Sequence, residues 1–177
     1  MLIGYINEKH QVTDMIIDAD TPEGVCFDGM YMHALLGFGL KFNRASFVSC
    51  FLGGAFMRRA EVMHADFTNA VISELQLTNA KVCSSIFRNC DMTVGHFEGA
   101  DFTGADFSGA KMLDTHFENC NLRGAIMLGT EIESAIFTGA KFDRHTVWPE
   151  GFNPLEHGAI LIGDGKADDA IEAANVR

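Results

Sequence analysis

The chain has 177 residues, of which 47% are hydrophobic, and a formal net charge of −11. This length suits one domain with a sizeable core, and the negative charge argues against nucleic acid phosphates as a ligand. Five cysteines without a CxxC pair predict free thiols and argue against disulfides or a zinc finger.

Residues 1–25 contain two alternating apolar runs, MLIGYI and VTDMII. Charged and polar residues interrupt both runs, so the segment resembles neither a signal peptide nor a membrane span. We therefore expect a cytoplasmic protein that does not bind membranes. We also expect this segment to form an N-terminal cap over the structure that follows it, because an open β edge invites aggregation.

A five-residue pattern begins at Phe27 and keeps one frame to Phe142, with an apolar residue at every central position except Gly37. The stretch FEGADFTGADFSGA shows it most clearly. An α-helix turns about 100° per residue and a strand alternates every two residues, so neither can keep this period on one face. Gly or Asn, including Gly129, often stands two residues after the centre, where a type II turn requires positive φ. Each pentapeptide is therefore predicted to form a short extended side and a corner.

The letters GADFTGADFSGA and CNLRGA match the pattern A(D/N)LXX, and the chain therefore resembles the pentapeptide repeat proteins. The resemblance implies an all-β fold, a right-handed quadrilateral β-helix in which four pentapeptides make one coil of 20 residues. The repeats would then build about six coils, and residues 20 apart would stack on one another. One predicted inward ladder consists of Phe27, Phe47, Phe67, Phe87, Phe107 and Met127.

The pattern ends after Phe142 with TVWPEGFNP, whose Trp148 and Pro149 are expected to close the last coil. The tail GKADDAIEAANVR predicts a short C-terminal helix. The predicted organisation is an N-terminal cap in residues 1–25, a pentapeptide repeat β-helix in residues 26–144, and a C-terminal cap and tail in residues 145–177.

Two outward surfaces are candidates for binding. The first, called the apolar patch here, lies at the N-terminal end of the β-helix and is either covered by the cap or used as an interface with a partner or a second copy in a homodimer. The second, called the acidic face, is the most negative side of the rod. The apolar patch comprises Tyr31, Leu36, Phe38, Phe51, Phe56 and Val71, and the acidic face comprises Glu74, Asp91, Asp114, Glu131 and Glu133.

The function that the sequence favours is a non-enzymatic protein-binding scaffold with an unidentified partner. A stacked rod supplies a large regular surface, and no motif pairs a nucleophile with an orienting base. The family resemblance implies an alternative, since some quinolone-resistance and toxin-immunity relatives are thought to mimic duplex DNA and to bind DNA gyrase or topoisomerase IV. No cofactor is expected.

The tripeptide HFE occurs twice, one predicted coil apart, and would place His96, Glu98, His116 and Glu118 on neighbouring strands. Imidazoles and carboxylates in this arrangement can hold a divalent metal. The sequence favours a simpler interpretation, in which the four side chains satisfy one another on a solvated face and no metal is bound.

Overall fold

The computed structural model describes residues 2–16 and 21–163. They form an antiparallel hairpin followed by a series of parallel one-residue bridges, nearly all of which join a residue to the one 20 positions later, from Cys26 onward. The regular elements are β1 (Leu2–Ile6), β2 (Val12–Ile16), a 3₁₀ turn (Ile132–Ser134), β3 (Lys141–Phe142) and β4 (Ile160–Leu161).

Residues 66–70 show the backbone of one repeat. Asp66 forms a bridge to the next coil, Phe67 points into the core, and Asn69 adopts a φ of 60° at the corner. The Ala70 N–H closes the turn by donating to the Phe67 carbonyl at 2.9 Å. The Phe67 N–H donates to the Ile86 carbonyl of the next coil at 2.8 Å. Residues that stack on one another are separated by four such sides, so each coil has four corners, as the family resemblance implied.

The core is filled by the central residues of the repeats. Its longest aromatic column stacks ring on ring with centroids 4.7–5.1 Å apart and consists of Phe27, Phe47, Phe67, Phe87 and Phe107. Gly37 is the exception in the pattern because a Cβ there would lie 2.9 Å from the Phe42 ring and 3.1 Å from Met57. The Phe42 ring thus fills the space that a larger residue would need.

The small inward residues also carry polar groups that satisfy the backbone. The Ser85 hydroxyl donates to the Val62 carbonyl and accepts from the Ala65 N–H, so that it links the two ends of one turn. The thiol of Cys90 donates to the Phe67 carbonyl in the same manner. These inward positions therefore suit small side chains that carry a hydrogen-bond donor, because a buried carbonyl is stabilised by an additional hydrogen-bond partner.

The aspartates of the repeat motif have a structural role. Asp106 accepts hydrogen bonds from the Ser108 N–H and hydroxyl at 2.9 and 2.6 Å and pairs with Arg88 at 2.7 Å. Burial raises the pKa of Asp106, but the bonds from Ser108 and Arg88 outweigh it and hold the pKa below its usual range. The same arrangement, with threonine in place of serine, recurs at Asp101 with Thr103.

The hairpin lies on the N-terminal edge of the β-helix. The Ile6 N–H donates to the His33 carbonyl at 2.7 Å, and the Leu36 N–H donates to the Gly4 carbonyl at 2.9 Å. The two alternating runs near the N-terminus therefore form strands, and β1 extends the pairing of the first coil.

At the C-terminal end, β4 runs parallel to β3, and Ile160 pairs with Lys141. Trp148 packs edge-on against Phe137 and Phe142, with ring centroids 5.3 and 5.6 Å away. The ring of Phe152 stacks on Trp148 at 5.4 Å. The helix predicted for the tail lies outside the described residues.

The repeat frame departs from its prediction at one place. Lys111 pairs with Thr130, one residue earlier than the regular spacing requires. Positive φ falls on Glu131, at 58°, and not on Gly129. A Cβ on Gly129 would lie 2.6 Å from the carbonyl oxygen of Ala110. The predictions of an unbroken frame and of a corner at Gly129 are wrong here, because this glycine allows two backbones to approach closely.

Candidate protein-binding surfaces

The apolar patch spans two adjoining columns of outward residues. The rings of Tyr31 and Phe51 stack with centroids 4.4 Å apart, and Phe51 pairs with Val71 in the next coil. In the adjoining column, Leu36 pairs with Phe56. The most exposed members are Leu36 at 59%, Phe38 at 62% and Phe56 at 41%. The residues grouped from the sequence are thus neighbours on one surface.

The N-terminal hairpin borders this patch. An open, mostly apolar groove of about 250 Å³ runs between the two and is lined by Tyr5, Ile6 and Val12 on one side and by Leu36 and Phe56 on the other. The described part of the hairpin therefore leaves both Leu36 and Phe56 accessible to solvent.

The far rim of the patch is basic. Phe38, Arg58 and Arg59 line a second shallow groove of about 310 Å³. Both arginines are exposed, and neither guanidinium forms an ion pair with a residue that the structure describes. Two arginines beside the exposed Phe38 ring stand out in a chain whose net charge is −11.

The acidic face continues the Tyr31 column toward the C-terminal end, because Val71 pairs with Asp91 in the next coil. Asp91 is half-buried, and its carboxylate accepts from the Thr93 N–H and hydroxyl at 3.1 and 2.6 Å. Its role is therefore structural. The remaining members are exposed, and in the described part of the chain their carboxylates have no ion-pair partner; they are Glu74, Asp114, Glu131 and Glu133.

The two HFE segments lie side by side. The imidazoles of His96 and His116 stack with centroids 5.0 Å apart. Each also meets the glutamate of its own segment, with Nδ1 of His96 3.3 Å from Oε1 of Glu98 and Nδ1 of His116 3.0 Å from Oε1 of Glu118. The structure thus brings all four predicted side chains into one cluster.

The cysteines are free thiols, as their number and spacing predicted. Burial raises the pKa of Cys50 to about 11 and that of Cys90 to about 12, and it raises the pKa of Cys120 as well. A thiol is nucleophilic as its thiolate, so these three groups are poorly suited to covalent catalysis. They serve instead as small core residues.

The four-sided coil defines a β-helical solenoid. The family model for pentapeptide repeats matches eight copies within residues 100–139. Residues 100–139 therefore match the pentapeptide repeat family, which confirms the resemblance drawn from the sequence. No curated protein matches the sequence.

Several solved structures align with the chain. Rfr23, a pentapeptide repeat protein from the cyanobacterium Cyanothece 51142, shares 18% identity over 77% of this chain and 72% of its own, with a TM-score of 0.37. A trypsin-treated variant of QnrB1, a plasmid-mediated fluoroquinolone resistance protein, shares 18% identity over 90% and 92%, with a TM-score of 0.42. HetL from Nostoc sp. strain PCC 7120 shares 15% identity over 80% and 87%, with a TM-score of 0.35.

Among the described residues, no helix has the length and apolar character needed to cross a bilayer.

Proposed function

We propose that this protein is a non-enzymatic scaffold that binds another protein through the apolar patch. The observation that carries the proposal is the exposure of Leu36, Phe38 and Phe56 beside the groove under the hairpin. Exposed apolar surface of this kind on a soluble protein marks an interaction site. Aromatic residues are also enriched at the energetically important positions of protein interfaces.

The chemistry of the patch indicates which kind of protein segment it would bind. The groove between the hairpin and Phe56 suits an apolar side chain, whereas Arg58 and Arg59 suit a carboxylate beside it. The proposed partner is therefore a protein segment with an apolar anchor and a neighbouring Asp or Glu. A rigid β-helix presents such a surface with little loss of conformational entropy, which favours binding.

The experiment compares three variants in pull-downs from lysate of the native host. Changing Leu36, Phe38 and Phe56 to serine should lower the affinity for the recovered partner at least about tenfold, because interface hot spots are commonly this large. Arg58→Glu should weaken the same complex in a salt-dependent manner. Direct titration of the purified partner measures both effects.

The matched control changes Leu155 and Leu161, which are 56% exposed at the opposite end of the rod, to serine, and it should bind as the wild type does. A partner that binds the patch variant as tightly as the wild type would contradict the proposal. Light scattering also tests for a homodimer. If the protein is a dimer that dissociates in the patch variant, the patch is the interface between two copies. The proposal that it binds a different protein would then be overturned.

A second candidate function is mimicry of DNA toward a type II topoisomerase. It is favoured by the exposed carboxylates of Glu74, Asp114, Glu131 and Glu133, which have no ion-pair partner among the described residues. Free carboxylates along a stacked rod present a regular negative surface to a basic DNA-binding groove. The consequence for the host would be quinolone resistance or toxin immunity.

This candidate predicts an effect on gyrase supercoiling at micromolar protein. Converting the four exposed carboxylates to amides should abolish that effect, because the charge is lost while side-chain size is kept. A control that removes the same charge from exposed residues of the flanks, with Glu8, Asp14, Glu23 and Glu150 as amides, should retain it. A wild-type protein that neither inhibits gyrase nor protects it from a quinolone would rule the candidate out.

A further inference from the structure

We propose that the paired HFE segments form a binding site for a divalent transition metal, with His96, Glu98 and His116 as its ligands. One ligand atom from each of these residues lies within 4.8 Å of the others. Zn–N and Zn–O bonds of about 2.0–2.2 Å place neighbouring ligands of a tetrahedral site about 3.3 Å apart. Nδ1 of His96 and Oε1 of Glu98 are already 3.3 Å apart, so one edge of the tetrahedron is formed.

To surround a metal ion, the three ligand side chains need to move only slightly, and they are exposed enough to do so. The side chains of His96 and Glu98 are 39% and 34% exposed, and that of His116 is 28% exposed. They project from strands that pair directly, since His96 forms a bridge with His116. Their backbones are thus fixed one strand spacing apart, and rotation about the side-chain bonds closes the distance. This preorganisation comes from the repeat, because it places identical tripeptides in register.

Two neighbouring side chains, Thr78 and Glu118, orient the ligands. The hydroxyl of Thr78 donates to Oε2 of Glu98 at 2.9 Å and leaves Oε1 toward His96. Glu118 faces Nδ1 of His116, the arrangement in which a carboxylate aligns a metal-binding imidazole.

One atom of the cluster lacks a partner. Oε2 of Glu118 is shielded from solvent and accepts no hydrogen bond from the residues that the structure describes. An unpartnered carboxylate oxygen is costly to bury, and a cation bound beside it would offset that cost. Two imidazoles with carboxylate oxygens suit Zn²⁺ and its neighbours in the first transition row better than Mg²⁺ or Ca²⁺. A bound ion would connect two successive coils.

The test is calorimetric titration with zinc sulfate, carried out with Cys26→Ser protein because Cys26 is an exposed thiol. We expect one zinc ion per chain. His96→Asn and His116→Asn should each weaken binding by at least about tenfold, and Glu118→Gln should weaken it less, as for a positioning group. In NMR spectra, zinc should shift the ring signals of His96 and His116.

The matched control is His64→Asn, which alters an exposed histidine at a corner of the same rod and should leave zinc affinity unchanged. Thermal unfolding verifies that each variant is folded. The proposal is overturned by either of two results: no saturable binding at millimolar zinc, or an affinity that the His96 and His116 variants leave intact.

Discussion

Phe107→Asp should lower the free energy of unfolding by more than about 4 kcal/mol or prevent folding altogether. Phe107 is fully buried and stacks on Phe87 at 5.1 Å, with Phe102 and Phe117 edge-on at 5.2 and 5.7 Å. The substitution removes these contacts and buries a carboxylate without a partner, which costs more than any contact that it could regain. Denaturant unfolding followed by circular dichroism measures the loss.

The control for this experiment is Ser84→Asp, which places the same charge on an exposed corner of the neighbouring coil. Surface changes of this kind stay within about 0.5 kcal/mol. Similar losses in the two variants would show that Phe107 does not belong to the core, and the register of the whole β-helix would then be incorrect.

Gly37→Leu should also destabilise the protein, although it restores the apolar residue that the repeat pattern expects. The Phe42 ring and the Met57 side chain already occupy the space into which Leu would extend. Forcing extra atoms into a packed core costs about 1–3 kcal/mol. The melting temperature of the variant should therefore fall below that of the wild type.

Gly39→Asn is the matched control, since Gly39 has a φ of 66° and open space around its missing side chain. Asn tolerates this conformation, so its melting temperature should change little. A Gly37→Leu protein as stable as the wild type would mean that Phe42 can move aside, and the account of this gap in the ladder would be wrong.

The sequence predicted the fold because a strict five-residue period leaves few backbones that can repeat it. The five-residue pattern did not show the structural role of each individual residue. Glycine serves equally for positive φ and for close approach of two chains, so Gly129 could not be separated from Gly139 before the structure placed the Ala110 carbonyl beside it. The number of coils and the capping role of the hairpin stay predictions.

The candidate surfaces were predictable in part. Column positions follow from the period, which is why Leu36 and Phe56 were placed together correctly. The role of Asp91 was missed because its contact is with Thr93, and hydrogen bonds between outward residues leave no mark on the core pattern. The spacing of aspartate and threonine, two residues apart, is the sequence feature that could have indicated this contact. The proximity of Arg58 to Phe38 was not predicted, because the patch was defined by its apolar side chains alone.

The strands at the two ends of the β-helix limit how copies of this protein can meet. In β1, the Ile6 N–H donates to the His33 carbonyl and the Gly4 carbonyl accepts from the Leu36 N–H. In β4, the Ile160 N–H donates to the Ala140 carbonyl. A second molecule therefore finds these backbone groups already hydrogen-bonded and cannot pair with the β-helix through them. An assembly through the lateral faces would leave these end pairings intact.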